Sequence, residues 1–234
     1  MQQIEFIMFH PFSREHLITV AIGFVLVGTL LYLAKTESRS RDMIRKILIL
    51  WCFCSLPLSL LAWTLWDGPK GLDNFLPLHL CDIATLTAGF ALLTKRPLLA
   101  AMTYFWGIAA TTQALLTPAI SMGFPHFPYV MFFVQHFAIV AVAFYLPFID
   151  GWRPQRPIWR AMLEIFGWSV AYHAGALLVN SLLGTNFGFA SRPPDNPSLI
   201  DHLGPWPWYM LWMQMIALVL FYLLALPWSR QPRK

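Results

Sequence analysis

Seven runs of about 20 apolar residues, each long enough to match the hydrocarbon thickness of a bilayer, govern what this chain can fold into. They lie at 16–34, 47–66, 76–93, 98–116, 129–148, 159–183 and 206–226. No water reaches backbone N–H and C=O groups at membrane depth, so each run must satisfy them within itself, and the α-helix does so. Composition agrees: 12% of the residues are charged, against roughly 25% in soluble domains. The 11 tryptophans suit the aromatic belts at membrane interfaces. The expectation is an all-α membrane protein, a seven-transmembrane helix bundle forming a single domain over 1–234. No internal repeat, low-complexity tract or soluble domain interrupts it.

The charges test that count independently, because Lys and Arg collect in cytoplasmic segments. One alternating set of connections carries Lys35, Arg39, Arg41, Arg45, Lys46, Lys95, Arg96, Arg153, Arg156, Arg160, Arg230, Arg233 and Lys234. The other carries only Arg14, Lys70 and Arg192. An odd number of spans with the N-terminus out and the C-terminus in places the larger set inside. The net charge of +5 then reflects topology and attraction to anionic lipid, and no basic stripe points to nucleic acid. The basic cluster follows the first span, so that span reads as a retained anchor, not a cleaved leader, and the chain is placed in the cell membrane. Ahead of it, Ile4, Phe6, Ile7, Met8, Phe9 and Phe12 are apolar enough to rest on the membrane surface.

Three cysteines make no disulfide framework. Cys52 and Cys54 read as packing residues of the second helix, and Cys81 stands apart. The connection 184–205 is external, rich in Gly, Asn and Pro, and long for a loop without its own pattern, which marks it as functional. Its aromatics suggest a lid. Trp206, Trp208 and Tyr209 read as interfacial anchors.

Chemistry concentrates in the run Leu76-Pro77-Leu78-His79-Leu80-Cys81-Asp82. Ionisable groups at membrane depth cost roughly 2.5–3.5 kcal/mol each on insertion scales, so they mark function by default. At 1.5 Å per residue, Cys81 and Asp82 fall one to two turns below the outer end of helix three. Gln113, Gln135, His136 and Asn180 fall at similar depth on helices four, five and six, with His173 nearer the midplane. Pro77 reads as the first residue of helix three. His79 and Asp82, three apart, share a face, whereas His79 and Cys81 point apart, so a base for Cys81 comes from another helix and His136 is best placed. Glu164 and Arg160 have the spacing of an exposed ion pair.

Six segments, Leu76-Pro77-Leu78-His79-Leu80-Cys81-Asp82-Ile83-Ala84, Tyr104-Phe105-Trp106-Gly107, Gln113-Ala114-Leu115-Leu116-Thr117-Pro118, Phe132-Phe133-Val134-Gln135-His136, Gly184-Thr185-Asn186-Phe187 and Gly204-Pro205-Trp206-Pro207-Trp208-Tyr209, carry a resemblance. Together they resemble the YwaF-like bacterial integral membrane proteins, in order from about residue 10 to 228. That family is similar to the eukaryotic transmembrane protein 164 group, for which a cysteine-centred phospholipid acyltransferase activity has been proposed. The resemblance implies Cys81 as nucleophile and His136 as its base.

Three functions follow as expectations. The first is a cysteine-nucleophile lipid acyltransferase or acyl hydrolase working from the outer leaflet. Cys81, His136, His79 and Asp82 form its catalytic set, Gln113, Gln135, Asn180 and Asn186 bind substrate, and no cofactor takes part. The second is a non-enzymatic lipid or small-molecule binding protein or sensor. The third makes His79, Asp82, His136 and His173 ligands of a catalytic zinc, which requires three converging protein ligands. Membrane lipids are the expected partners in each, and oligomeric state is left open.

Overall fold

The computed structural model describes residues 8–229. Among them are seven α-helices: α1 (Arg14–Thr36), α2 (Ser38–Leu65), α3 (Leu80–Thr94), α4 (Pro97–Leu116), α5 (Phe127–Phe148), α6 (Ile158–Leu183) and α7 (Trp208–Ser229). Extended pairing is limited to one bridge, between Met8 and Met122. Five helices, α1, α2, α5, α6 and α7, are long and apolar enough to cross a membrane. The chain is an all-α, multi-pass membrane protein. α3 has only 15 residues. α4 carries Thr103, Tyr104, Trp106 and Thr111 because these positions are buried in protein and need not dissolve in lipid.

α5 is the hub. Of its most apolar window 72% is buried, against 17–22% in the other four long helices, and it packs on α1, α2, α3 and α4. α6 and α7 pair with each other and lean on α4. Without a hydrophobic force between helices in lipid, close backbone approach supplies the cohesion, and small residues permit it. A Cβ on Gly107 would meet the Ala143 Cβ at 2.9 Å and Ile139 at 3.1 Å, so α4 and α5 touch there. Cys52 is fully buried beneath Gly89 of α3, which fits a packing role.

The segment Tyr104-Phe105-Trp106-Gly107 is a junction. The Tyr104 hydroxyl donates to the Leu224 carbonyl (3.0 Å) and accepts from the Trp228 indole (3.1 Å), tying α4 to α7. The Trp106 indole donates to Ser169 Oγ (2.8 Å), tying α4 to α6. Successive residues of one turn thus hold different neighbours.

Two helix starts differ from the sequence expectation. α2 begins at Ser38, not 47, because its first turns are paid out against carbonyls and not left as a basic loop: Arg41 donates to the Ala34 carbonyl (3.0 Å) and Arg45 to that of Leu92. Arg45 also faces Asp150 at 3.6 Å. No Glu164–Arg160 pair forms among the described residues; the Arg160 guanidinium lies over the Trp159 ring instead, 5.3 Å from its centroid. α3 begins at Leu80, so Pro77 precedes the helix and does not open it. Leu78 N–H bonds the Leu76 carbonyl (2.8 Å) in a tight local turn, and His79 is extended.

The end of the bundle where α3 starts also holds the 184–207 connection, and is here called the loop end. Phe9, expected on the membrane surface, is buried there; its N–H donates to Ser121 (3.0 Å) while Met8 and Phe12 stay exposed. Ile4, Phe6 and Ile7 lie outside the described residues. His16 pins α1 to this end. Its Nδ1 accepts from Phe12 N–H (2.9 Å), so Nε2 carries the proton and donates to the Leu115 carbonyl (2.9 Å).

The 184–207 connection is folded, with 3₁₀ turns at Phe187–Phe189 and Leu199–His202. Asn180, 4% exposed, clasps it: Oδ1 accepts from Phe187 N–H (2.8 Å) and Thr185 Oγ (2.9 Å), and Nδ2 donates to the Phe187 carbonyl (3.1 Å). Asn186 repeats the device toward Ser191 and Arg192. The Tyr209 hydroxyl donates to the Phe189 carbonyl (2.7 Å), and the residue is fully buried, so it anchors the connection and not the membrane interface. Trp208 remains exposed, and exposed Trp206 donates its indole N–H to the Ala190 carbonyl (3.1 Å). Gly188 has φ +63° and a Tyr172 ring atom 2.9 Å from where a Cβ would sit, so both its backbone and its space favour glycine.

Candidate functional site

A cavity of about 500 Å³ opens at the loop end and runs between α2, α3, α4 and α5 toward the α6–α7 pair. Its walls are mainly apolar. The folded connection contributes Gly188, Phe189 and 198–200 to its lining, which is the position a lid would take.

Cys81, His79 and Asp82 from α3, Gln113 from α4, and Gln135 and His136 from α5 all line this cavity. Depth along the sequence grouped five of these six, all but His79. Asn180 and Asn186 are not among the lining residues; their polar atoms are occupied by the clasp described above. His173 lines the cavity from α6.

Local structure decides what each group is free to do. With His79 as the residue before the helix, Cys81 and Asp82 stand in the first turn of α3, where N–H groups lack intrahelical partners and favour negative charge. Asp82 Oδ2 accepts from the His79 backbone N–H (3.1 Å), and Oδ1 accepts from Gln135 Nε2 (3.1 Å), which also reaches Thr85 Oγ (3.1 Å). The three-residue spacing of His79 and Asp82 thus serves a helix cap, with no hydrogen bond between the two side chains among the described residues. Gln135, 4% exposed, joins α5 to α3 through that carboxylate. The His79 ring sits edge-on to Phe187 with centroids 5.1 Å apart, against the folded connection, and lies within electrostatic range of Asp82 and His136.

His136 is buried and stacked on Phe132, with centroids 4.0 Å apart. Its Nδ1 is 2.7 Å from the Phe132 carbonyl. A carbonyl only accepts, so the neutral ring carries its proton on Nδ1 and presents an unprotonated Nε2. Cys81 is half-buried; its sulfur lies against the backbone N–H groups of the first turn, its own and that of Asp82, and no side chain hydrogen-bonds it among the described residues. Its carbonyl accepts from Thr85 (2.7 Å). The side chain of Gln113 is likewise without a partner among the described residues, on the cavity wall. Donor, acceptor and thiol therefore share one largely apolar chamber.

Three lining residues were not singled out from sequence. Tyr172 donates to the Leu78 carbonyl (3.1 Å) and lies in electrostatic range of Cys81 and Asp82, bridging α6 to the start of α3. Gln214 and Ser169 line the α6–α7 side. A lone Gln inside Leu211-Trp212-Met213-Gln214-Met215 was a readable signal; Tyr172 and Ser169, ordinary in membrane helices, were not.

No group of three or more His, Cys, Asp or Glu side chains converges among the described residues. Asp82, one residue of the zinc expectation, is held by Gln135 and by the His79 N–H.

Residues 11–225 match the TMEM164 family. The chain belongs to that family. No curated protein and no solved structure gives a significant match. The family match spans α1 to α6 and most of α7 and covers the whole of the cavity lining described above.

Proposed function

We propose that this TMEM164-family protein is of the YwaF-like bacterial type and works in the cell membrane as a cysteine-nucleophile lipid acyltransferase or acyl hydrolase. In this reading all seven helices cross the bilayer, with the N-terminus and the loop end outside. The distribution of charge supports the orientation: Lys35, Arg39, Arg45, Lys95, Arg153 and Arg156 gather at the opposite end, against Arg14, Lys70 and Arg192 at the loop end.

The observation that carries the reading is a thiol with no side-chain partner among the described residues, set in the first turn of α3 on the wall of an apolar chamber that also holds a histidine with its acceptor nitrogen unprotonated. Cys81 transfers its proton to Nε2 of His136 as sulfur attacks the carbonyl carbon of a lipid acyl ester. The ester oxygen leaves with that proton, and the acyl group stays on Cys81 as a thioester. Water or an alcohol then attacks the thioester and gives its own proton to His136, which passes it to the departing sulfur as the acyl group leaves on the new oxygen, and the choice between them separates hydrolysis from transfer. Gln113, whose amide has no other partner, donates to the carbonyl oxygen as charge develops. Asp82 and Gln135 act by holding the first turn of α3 against α5.

Incubating the purified protein with vesicles of ester-linked lipid and measuring intact mass tests this. A hydroxylamine-labile acyl adduct on Cys81 is expected. His136→Ala is expected to slow its formation by about 100-fold, the size of a general-base contribution. Product formation by Cys81→Ala would overturn the reading.

A second reading, a lipid or small-molecule binding protein, draws on one observation: no hydrogen bond joins Cys81 to His136 among the described residues, and Asp82 and Gln135 already satisfy each other. It expects lipid to co-purify equally with Cys81→Ala and with the unaltered chain.

A further inference from the structure

We infer that His173 and Gln214 form a second recognition point within the cavity, on the α6–α7 side, that takes the hydroxyl group of an uncharged, membrane-soluble alcohol. This goes beyond the thiol chemistry and does not depend on it.

The inference starts from proton positions. His173 Nδ1 lies 2.9 Å from the Ser169 carbonyl and 2.9 Å from the Gln214 amide nitrogen, while Gln214 Oε1 is buried without a partner. The Ser169 carbonyl only accepts, so Nδ1 of the neutral ring carries the proton. An N–H facing an NH₂ is repulsive. Half a turn of the Gln214 amide removes the conflict and places its oxygen on the Nδ1 proton. That leaves the Gln214 NH₂ as a donor without a protein partner in a cavity-lining side chain, and His173 Nε2 as an acceptor.

One unmet donor beside one unmet acceptor is the complement of a hydroxyl, which accepts and donates at a single oxygen. The neighbouring polar groups do not compete. Ser169 Oγ accepts from Trp106 and donates to the Ile165 carbonyl, so both its roles are taken.

The charge of the surroundings sets the ligand class. No Lys or Arg lines the cavity, and its acidic residues are Asp73 and Asp82. A phosphate or carboxylate entering here would meet no cation and would lose its hydration, which is costly at membrane depth. A cationic head would meet Asp82 only where Gln135 and the His79 N–H already hold that carboxylate. Besides Gln214, α7 contributes Met213, Ile216, Ala217, Leu220 and Phe221 to the lining, which suits an alkyl chain. The favoured ligand is therefore a long-chain alcohol or a neutral hydroxylated lipid.

Titration calorimetry of the detergent-solubilised full chain with 1-hexadecanol and with hexadecyl methyl ether tests this. The ether keeps the chain and an acceptor but lacks the donor proton. The alcohol is expected to bind about tenfold more tightly or better, as sites built around a hydroxyl discriminate against analogues lacking it. His173→Phe should reduce that ratio to near one while ether affinity is retained, the retained ether binding showing that the variant is folded, whereas Gln214→Leu, which removes the donor that both ligands accept from, should weaken alcohol and ether alike. Cys81→Ala should leave the ratio unchanged, so failure of the thiol reading and failure of this one are separable. Equal binding of alcohol and ether by the unaltered chain, an undiminished ratio in His173→Phe, or unchanged affinity for both ligands in Gln214→Leu would overturn the inference.

Discussion

Replacing Asn180 by Ala is expected to release the folded connection from α6 without unfolding the bundle. The side chain makes three hydrogen bonds, and its Oδ1 is the sole partner of the Phe187 N–H among the described residues. Phe187 is fully buried, so loss of that acceptor strands an N–H at a cost of about 1–3 kcal/mol, with about 1 kcal/mol for each of the other two bonds. Water entering the space left by the amide offsets part of this. A working value of about 3 kcal/mol corresponds to more than a hundredfold change in an opening equilibrium, at 1.4 kcal/mol per factor of ten. Hydrogen exchange followed by mass spectrometry on peptides covering 185–190 should therefore speed by about two orders of magnitude, while peptides from α5 keep their protection. Asn180→Asp, which retains the acceptor oxygen but sets a second one against the Phe187 carbonyl, should fall between. Unchanged exchange over 185–190 in Asn180→Ala would refute the clasp and, with it, the lid as a held structure.

Three further outcomes are expected. In intact cells, on a background without native cysteines, a cysteine introduced at Ser191 should label with an impermeant thiol reagent and one at Ser40 should not; the reverse pattern would invert the proposed orientation. Gly107→Val should destabilise by about 1–3 kcal/mol through overpacking against Ala143 and Ile139, whereas Gly175→Ala, with nothing within 4 Å of the added carbon, should be neutral in the same denaturant titration. A double-mutant cycle between Asp82 and Gln135 should give a coupling of about 1 kcal/mol, the scale of hydrogen bonds between membrane helices, and a coupling of zero would remove the proposed link between α3 and α5.

The helices were legible because lipid imposes a length and a polarity on each one, and these are written directly in the apolar runs. Cys81, Gln113, Gln135 and His136 were legible as a group because a polar residue in a span needs a buried reason, and depth along a helix follows from position in the chain. Spacing alone left the role of His79 and Asp82 open: a three-residue interval serves a face-sharing pair and a helix cap equally, and only the location of the helix start reveals the cap. Pro77 suggested an early start, whereas the local turn at Leu76–Leu78 moved it to Leu80. Asn180 drew attention as a polar residue at the right depth and Asn186 as part of the Gly184-Thr185-Asn186-Phe187 segment, yet their amides match backbone groups of the adjoining connection, a pairing that depends on how that connection folds back. Tyr209 was hidden for the same reason, since an aromatic near a helix end looks alike whether it faces lipid headgroups or a neighbouring carbonyl.

The central claim is that Cys81 is a nucleophile activated by His136 within the cavity. Labelling of the folded protein in lipid vesicles by a long-chain chloroacetamide, with site identification by mass spectrometry, tests it most directly. The account predicts rapid modification of Cys81, little of Cys52 or Cys54, and a rate at Cys81 reduced by about 100-fold in His136→Ala. Modification of Cys81 only after unfolding, or at the same rate with and without His136, would contradict it.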